Sequence, residues 1–344
     1  MLSYRTANIG GSTKADPARV RDLQSHLRAL GYLYRGIDGQ FGPGTRMAVR
    51  RLQFDLIRND GRSRDGDGEA PIKMMDFNRG VVAVTGVVDP ALADSIESLL
   101  DDARVPKLPR SDDPVTANRT ALTAISAVAS TLAPTPFVLA VFQQESDGRH
   151  YTVPQTAGDS DTFITIGLDT NSSSKDEVTS RGYGIGQYTL FHHPPRPEEV
   201  AGIITDPVRN GWYAYVELRD KFDHFVAGST AGTQADDRAA EHPILPLRLC
   251  RYSPGDARYM RGCRDCAVQV GKVDIAAKTA LYHEATQTYG DATDYWNPHY
   301  VGVPDRAQFL CDWPYAVRRY NGSGPNSFNY QARILLNLLA SSPV

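Results

Sequence analysis

Apolar and polar positions follow two rhythms along this chain. Between residues 12 and 101 the rhythm is helical. Val20, Leu23, Leu27 and Leu30 recur at helical spacing behind Asp16-Pro17, a helix start, and Gly31 is the stop. A turn-rich stretch follows, Gly36-Ile37-Asp38-Gly39-Gln40-Phe41-Gly42-Pro43-Gly44-Thr45. A second helix is predicted next, with Met47, Val49, Leu52, Phe54 and Leu56 as its apolar set, and Asp89-Pro90 leads into a third that ends at Leu100. Asn59 to Gly80 interrupts the pattern. Its Asp65, Asp67 and Glu69 lack the glycine that a calcium loop places at its sixth position, so a solvated loop is the better reading.

Residues 102–118 hold Pro106, Pro109 and Pro114 and read as a semi-extended linker. Residues 119–344 form the second expected domain. It opens with an Ala/Ser-rich helix, then a short helix from Thr135 to Gly148 with Pro136 in its first turn. Val138, Val141 and Phe142 mark the apolar face of that helix, and Glu145 falls within it. Gly158 to Lys175 alternates with period two and predicts a hairpin, with Phe163-Ile164-Thr165-Ile166-Gly167 as one strand. The glycine-rich run from Arg181 to Thr189 lacks the Lys-Ser/Thr of a phosphate loop. Asp206-Pro207 starts a further helix, and Ile334, Leu335, Leu338 and Leu339 mark the last. The expected fold is mainly α: a three-helix module, then an α+β domain with a small β-hairpin.

Composition narrows the function classes. At 344 residues the chain has room for two domains, and 41% hydrophobic with 22% charged residues is ordinary for a soluble protein. A net charge of −3 provides no global field toward nucleic acid or an anionic membrane. The longest uncharged run, Thr120 to Gln144, is split by Pro134 and carries several hydroxyl residues, so two buried helices are expected rather than a membrane span. Met1 to Gly11 lacks the basic-then-apolar pattern of a signal peptide. A protein made in the cytoplasm and brought to its substrate by delivery or release is therefore expected. Cys250, Cys263, Cys266 and Cys311, two of them in a Cys-x-x-Cys, leave a zinc site, two disulfides and four buried thiols open. His192-His193 and His283-Glu284 do not complete His-Glu-x-x-His, and neither a catalytic metal nor a cofactor is expected.

The chemistry centres on Glu145. A carboxylate on a buried helix face is costly unless paired or protonated. Desolvation raises its pKa, as a general acid near neutral pH requires. A structural ion pair with a core arginine is the competing reading.

Two resemblances sharpen this picture. The order helix, Asp-Gly-x-Phe-Gly-Pro-x-Thr, helix with Leu-Gln-Phe, then Gly-x-Val-Asp and a last helix resembles the three-helix peptidoglycan-binding domain over residues 12–101. The resemblance implies a ligand groove near Asp38, Phe41 and Thr45, although Phe41 by itself reads better as core. The second domain resembles the lysozyme-like superfamily, especially soluble lytic transglycosylases and goose-type lysozymes. Glu145-Ser146, Gly184-Ile185-Gly186-Gln187, Asp206-Pro207 through Asn210-Gly211, and Tyr320-Asn321-Gly322 with Tyr330 beyond occur in that family's order. This implies cleavage of the MurNAc–GlcNAc β-1,4 bond with Glu145 as acid. Ser146, Tyr183, Gly184, Gln187, Tyr188, Tyr320, Asn321 and Tyr330 would line the cleft, the small glycines admitting the polysaccharide. Core packing is the competing reading for each tyrosine.

The chain departs from transglycosylases in the spacing after the acid, where about forty residues precede the Gly-Ile-Gly-Gln segment. Thr165-Ile166-Gly167 resembles the hairpin of phage-type lysozymes. Asp159, Asp161 and Asp169 become possible second carboxylates, with turn aspartates as the plain alternative. A second carboxylate implies hydrolysis; without one, a lytic transglycosylase forming 1,6-anhydro ends is the alternative. A non-catalytic wall-anchoring protein is the rival from another class. Expected partners are peptidoglycan glycan strands, and a phage-type release system or a secretion-system delivery machinery with its immunity protein. No nucleic acid and no membrane insertion are expected.

Overall fold

The computed structural model describes residues 2–5, 9–10, 16–34, 36–62, 72–127, 132–226, 247–270, 309–321 and 325–340. Asp65, Asp67, Glu69, His283, Glu284 and Gly322 lie outside the described residues. The chain forms two compact units: Met1–Leu122 with Arg149–Asn210, and Thr123–Gly148 with Gly211–Val344. These do not follow the boundaries read from the sequence, because residues 149–210 group with the N-terminal helices.

In the first unit, α1 (Pro17–Ala29), α2 (Pro43–Arg58) and α3 (Pro90–Asp101) each place proline in the first turn, where its missing N–H costs nothing. The Asp16 and Asp89 carboxylates cap α1 and α3 by accepting from the Ala18 and Leu92 N–H groups. The expected apolar stripes meet in one core, where Val20, Leu23, Leu27, Val49, Leu52, Leu56, Leu92, Ile96 and Leu99 are all but inaccessible. The Pro-rich segment after α3 is not a spacer. Val105 and Leu108 are buried, and the Leu108 N–H donates to Ala29 O. The Ser111 N–H donates to Thr162 O, and the Ile164 N–H to Pro109 O. Val105 just before Pro106, and Leu108 between Pro106 and Pro109, give the segment something to bury. It then leads into α4 (Pro114–Ala127).

A three-stranded antiparallel sheet completes this unit, in the order β1 (Ile166–Asn171), β2 (Ser174–Tyr183), β3 (Tyr188–Leu190). The hairpin thus begins later than the alternation predicts. Phe163 and Ile164 make only isolated bridges, to Arg110 and Tyr151. Gly184 to Gln187 form the β2–β3 turn, with Tyr183 opposite Tyr188. Ile37, Leu108, Phe163, Ile164, Ile166, Tyr183, Leu190 and Ile204 bury against one another as a second core cluster. A short helix, α6 (Pro197–Glu199), runs into a wider π turn at Val200–Ile204.

The second unit is helical. It contains α5 (Thr135–Ser146), most of α7 (Pro207–Phe225), α8 (Cys263–Val270), α9 (Trp313–Tyr320) and α10 (Pro325–Ala340). α10 packs against α5, α8 and α9. Val138, Phe142, Leu218, Phe222, Trp313, Val317, Ile334 and Leu338 form its interior, with the Phe222 and Trp313 rings 4.3 Å apart. Among the described residues no helix is long and apolar enough to cross a membrane.

Candidate active site and wall-binding loop

Glu145 sits in the last turn of α5, half-buried beside the fully buried Val141 and Phe142. The helix ends there because Asp147 adopts a left-handed conformation and Gly148 follows with φ +67°, their N–H groups both closing on Phe142 O. Tyr330, carried by α10, donates its hydroxyl to Glu145 Oε1 at 2.5 Å. Tyr320, the last residue of α9, lies nearly parallel to Tyr330, with ring centroids 6.5 Å apart and planes 9° apart. Burial, then the neighbouring Glu145 carboxylate, hold both phenols well above their ordinary pKa. Tyr330 is therefore protonated at neutral pH, and its hydroxyl serves as a donor to the carboxylate.

The flanking positions differ from expectation. Ser146 is buried and donates its hydroxyl to Phe142 O at 3.0 Å, so it secures the helix end instead of facing a ligand. Asn321 is exposed just past α9, and its N–H returns to Arg319 O.

The Gly-Ile-Gly-Gln turn, in the first unit, is built by internal packing. Gly184 has φ +72°, and a Cβ there would stand 2.6 Å from His150 Cε1 and 2.8 Å from Asn210 Oδ1. Asn210 is wholly buried; its amide donates to Tyr183 O and its carbonyl accepts from the Gly186 N–H. Asp206 caps the start of α7 through the Val208 N–H. The Asp-Pro-x-x-Asn pattern is thus a helix cap plus a clamp on the turn. Gln187, at φ +49°, lies over the sheet, and its Oε1 would be 2.6 Å from a Cβ at either Gly167 or Gly182. At Gly167, Gly182 and Gly184 the missing side chains leave room for His150, Asn210 and Gln187. Tyr183 differs from expectation. It is wholly buried in the second core, and burial pushes its phenol up to about 12. Tyr188 is partly buried against the same core.

The three aspartates have structural work. Asp161 is inaccessible to solvent; it accepts from Arg28 Nε at 2.9 and 3.2 Å and from the Phe163 N–H at 3.1 Å. A sugar strand cannot reach it, so it is withdrawn as a second carboxylate. Asp159 accepts from the Ile37 and Asp161 N–H groups, both at 2.9 Å, which shapes the turn. Asp169, on β1, is exposed and accepts from the Ser180 hydroxyl.

In the loop between α1 and α2, Gln24 is the organising residue. It is buried on the apolar stripe of α1. Its amide nitrogen donates to Asp38 Oδ1, Gln40 O and Thr45 Oγ1, and its oxygen accepts from the Gly39 N–H. Asp38 and the buried Thr45 therefore hold the loop in shape, while Phe41 is half-buried against the core under Arg46. Gln53, in the Leu-Gln-Phe of α2, repeats the device. It donates to Thr85 Oγ1 and Val87 O, and accepts from the Thr85 and Gly86 N–H groups. Residues 16–56, which contain both glutamines and the loop, match the family model of the peptidoglycan binding domain. The chain carries a peptidoglycan-binding domain. No curated protein and no solved structure matches the chain.

In the first unit this peptidoglycan-binding domain is extended by polar contacts that spacing does not reveal. Arg28 of α1 grips Asp161, and Asp55 of α2 accepts from the Tyr32 hydroxyl and Arg181. Arg50 binds both oxygens of Asp176 on β2. A polar residue inside a buried helical stripe was the one available signal, and Gln24, Arg28, Gln53 and Asp55 all carry it. Among the described residues no three His, Cys, Asp or Glu side chains are arranged to hold a metal ion.

Proposed function

We propose that this protein cleaves the glycan strands of peptidoglycan at the MurNAc–GlcNAc β-1,4 bond, with Glu145 as the general acid, while its peptidoglycan-binding domain keeps it on the wall. The observation that carries this reading is the Tyr330 hydroxyl 2.5 Å from Glu145 Oε1, with Tyr320 stacked behind. A carboxyl group at a helix end, half-buried and oriented by a neutral donor, suits proton delivery to a leaving oxygen. The Tyr330 hydroxyl fixes the orientation of the Glu145 carboxyl group that would deliver its proton to the glycosidic oxygen. Wall tethering raises the local concentration of strands without adding catalytic contacts.

Within this reading, one carboxylate acting alone is favoured over the two-carboxylate hydrolysis expected from the sequence. Asp161 is sealed in an ion pair, Asp159 is half-buried with Oδ1 accepting two N–H groups that shape a turn, and Asp169 is exposed. A lone Glu145 would protonate the leaving oxygen as the C1–O bond breaks. It would then take the proton of the sugar's own 6-hydroxyl as the C1–O6 bond forms, giving a 1,6-anhydro end.

Purified sacculi test both levels. Glu145→Gln keeps the shape and removes the proton, and should abolish the loss of turbidity. Activity within tenfold of the parent sinks the assignment and leaves a wall-anchoring protein. Mass spectrometry of the products separates the two modes, since hydrolysis leaves reducing ends one water heavier than anhydro ends.

A further inference from the structure

All four cysteines of the chain lie in the second unit, on three segments that hydrogen bonds tie to one another. Cys263 and Cys266 occupy the first turn of α8 and are buried. Cys250 is reached by the Met260 N–H, which donates to its Sγ at 3.3 Å, so the loop before α8 folds back over Cys250. Cys311 is tied to the Cys250 segment from the other side. The Arg248 N–H donates to Asp312 Oδ2, the Asp312 N–H donates to Arg248 O, and the Trp313 indole donates to Leu249 O. The thiols feel one another. Burial, then Cys311, Cys266 and Cys250, push the Cys263 thiol far up, and burial pushes Cys311 to about 12.

We propose that these four thiols are a paired-disulfide site: one bond joins Cys250 to α8, and the other joins Cys311 to α8, once the protein meets an oxidising compartment. Three states compete for four clustered cysteines: a metal centre, permanent thiols and disulfides. The arrangement does not suit a metal, since no set of three ligands among the described residues is placed to hold one. The choice between the other two rests on the compartment. Peptidoglycan lies outside the cytoplasmic membrane, where disulfides form and persist. Cys263 and Cys266 are successive positions on one helix face, so each can meet a different flanking segment.

The reaction balances with a small-molecule disulfide such as oxidised glutathione. Cys250 is the half-buried member, whereas Cys263, Cys266 and Cys311 are buried. Its thiolate attacks the reagent's sulfur, forming a mixed disulfide and releasing one glutathione thiolate. A thiolate from α8 then attacks Cys250 Sγ and releases the second. Two protein thiols are oxidised to one disulfide and one glutathione disulfide is reduced to two thiols; the Cys311 bond forms by the same exchange. Both bonds would tie down the segment leading through Trp313 into α9. α9 packs on α10, which holds Tyr330 against Glu145. Oxidation would therefore brace the scaffold behind the carboxylate.

The test uses the full chain, reduced and then equilibrated with oxidised glutathione. Each sample is denatured, alkylated with iodoacetamide and weighed intact. The reduced protein should take four alkyl groups and the oxidised protein none, with its mass lower by four hydrogens. Peptide mapping should find Cys250 and Cys311 each linked to Cys263 or Cys266, and the midpoint of thermal unfolding should rise by about 5–10 °C. Persisting free thiols, a Cys263–Cys266 link, linkage between chains, or one equivalent of zinc released when the thiols are modified would each overturn the proposal. None of these readouts depends on glycan cleavage, so failure here is separable from failure of the proposed activity.

Discussion

Arg28 and Asp161 form an ion pair in which neither side chain retains any solvent exposure. Arg28 also donates to Thr152 Oγ1 and Ile164 O, so α1 and the segment before β1 share one buried polar junction. A buried pair of this kind costs desolvation that good geometry offsets, but removing one partner leaves an unpaired buried charge. Asp161→Ala is expected to lose about 3–5 kcal/mol of stability in urea unfolding. Refolded Asp161→Asn should keep its specific activity on sacculi. Activity lost without any change in stability would return Asp161 to the catalytic list.

Tyr330→Phe removes the donor to Glu145 while leaving the ring and its stacking on Tyr320. A donor favours the charged form of its carboxylate partner, so its loss should move the limb of the pH–rate profile assigned to Glu145 toward higher pH. The rate should drop by about 10–100-fold, as for loss of a charged hydrogen bond. A profile unchanged in position and height separates Tyr330 from the chemistry.

His150 makes the first unit acid-sensitive. Burial lowers its pKa from 6.5 to about 4, and burial, then the nearby Arg181 and His192, hold His193 well below its ordinary value. Unfolded histidine binds its proton first, so the unfolded state carries more protons below pH 6.5. Stability is then full above pH 6.5 and falls as the pH drops toward 4, by about 3 kcal/mol for His150. Urea midpoints measured across this range should decline on acidification. A flat profile removes the histidines from the account.

Gly182→Ala and Gly184→Ala should part company. At Gly184 the left-handed backbone and the fixed His150 ring leave no room, so a loss of about 2 kcal/mol or more is expected. At Gly182 the nearest obstacle is the far end of the Gln187 side chain, which can swing away, and Gln187 Cβ at 3.3 Å has to give only a few tenths of an ångström. That variant should stay within about 1 kcal/mol of the parent by thermal unfolding. Reduced activity on sacculi with intact stability would mark Gln187 as a substrate contact, and full activity would confine it to packing.

Wall binding should depend on Gln24 more than on the exposed loop tip. Gln24→Ala strands the Gly39 N–H and releases Asp38 and Thr45, at a cost of about 1–3 kcal/mol. In a Glu145→Gln background, sedimentation with sacculi should fall several-fold on adding Gln24→Ala. Unchanged co-sedimentation would move the binding surface away from this loop.

The local code of this chain was legible by itself. Prolines in first turns, aspartate caps and apolar residues at helical spacing specify α1, α2 and α3 through interactions within a few residues. The Asp-Gly-x-Phe-Gly loop carries the signature of wall binding in the same local way. Tertiary structure alone decided what the polar residues do. Nothing near Glu145 in the sequence announces Tyr330 as its hydrogen-bond partner, and nothing near Asp161 announces Arg28. The β strand was predicted too early because alternation does not register which backbone lies alongside; Phe163 and Ile164 pair with Arg110 and Tyr151 instead. Tyr183 and Ser146 read as ligand contacts until their neighbours were known. Periodicity reports which face is buried, because burial repeats with the helix or strand. It cannot report which distant group satisfies a buried oxygen or nitrogen, because that depends on how the chain closes on itself.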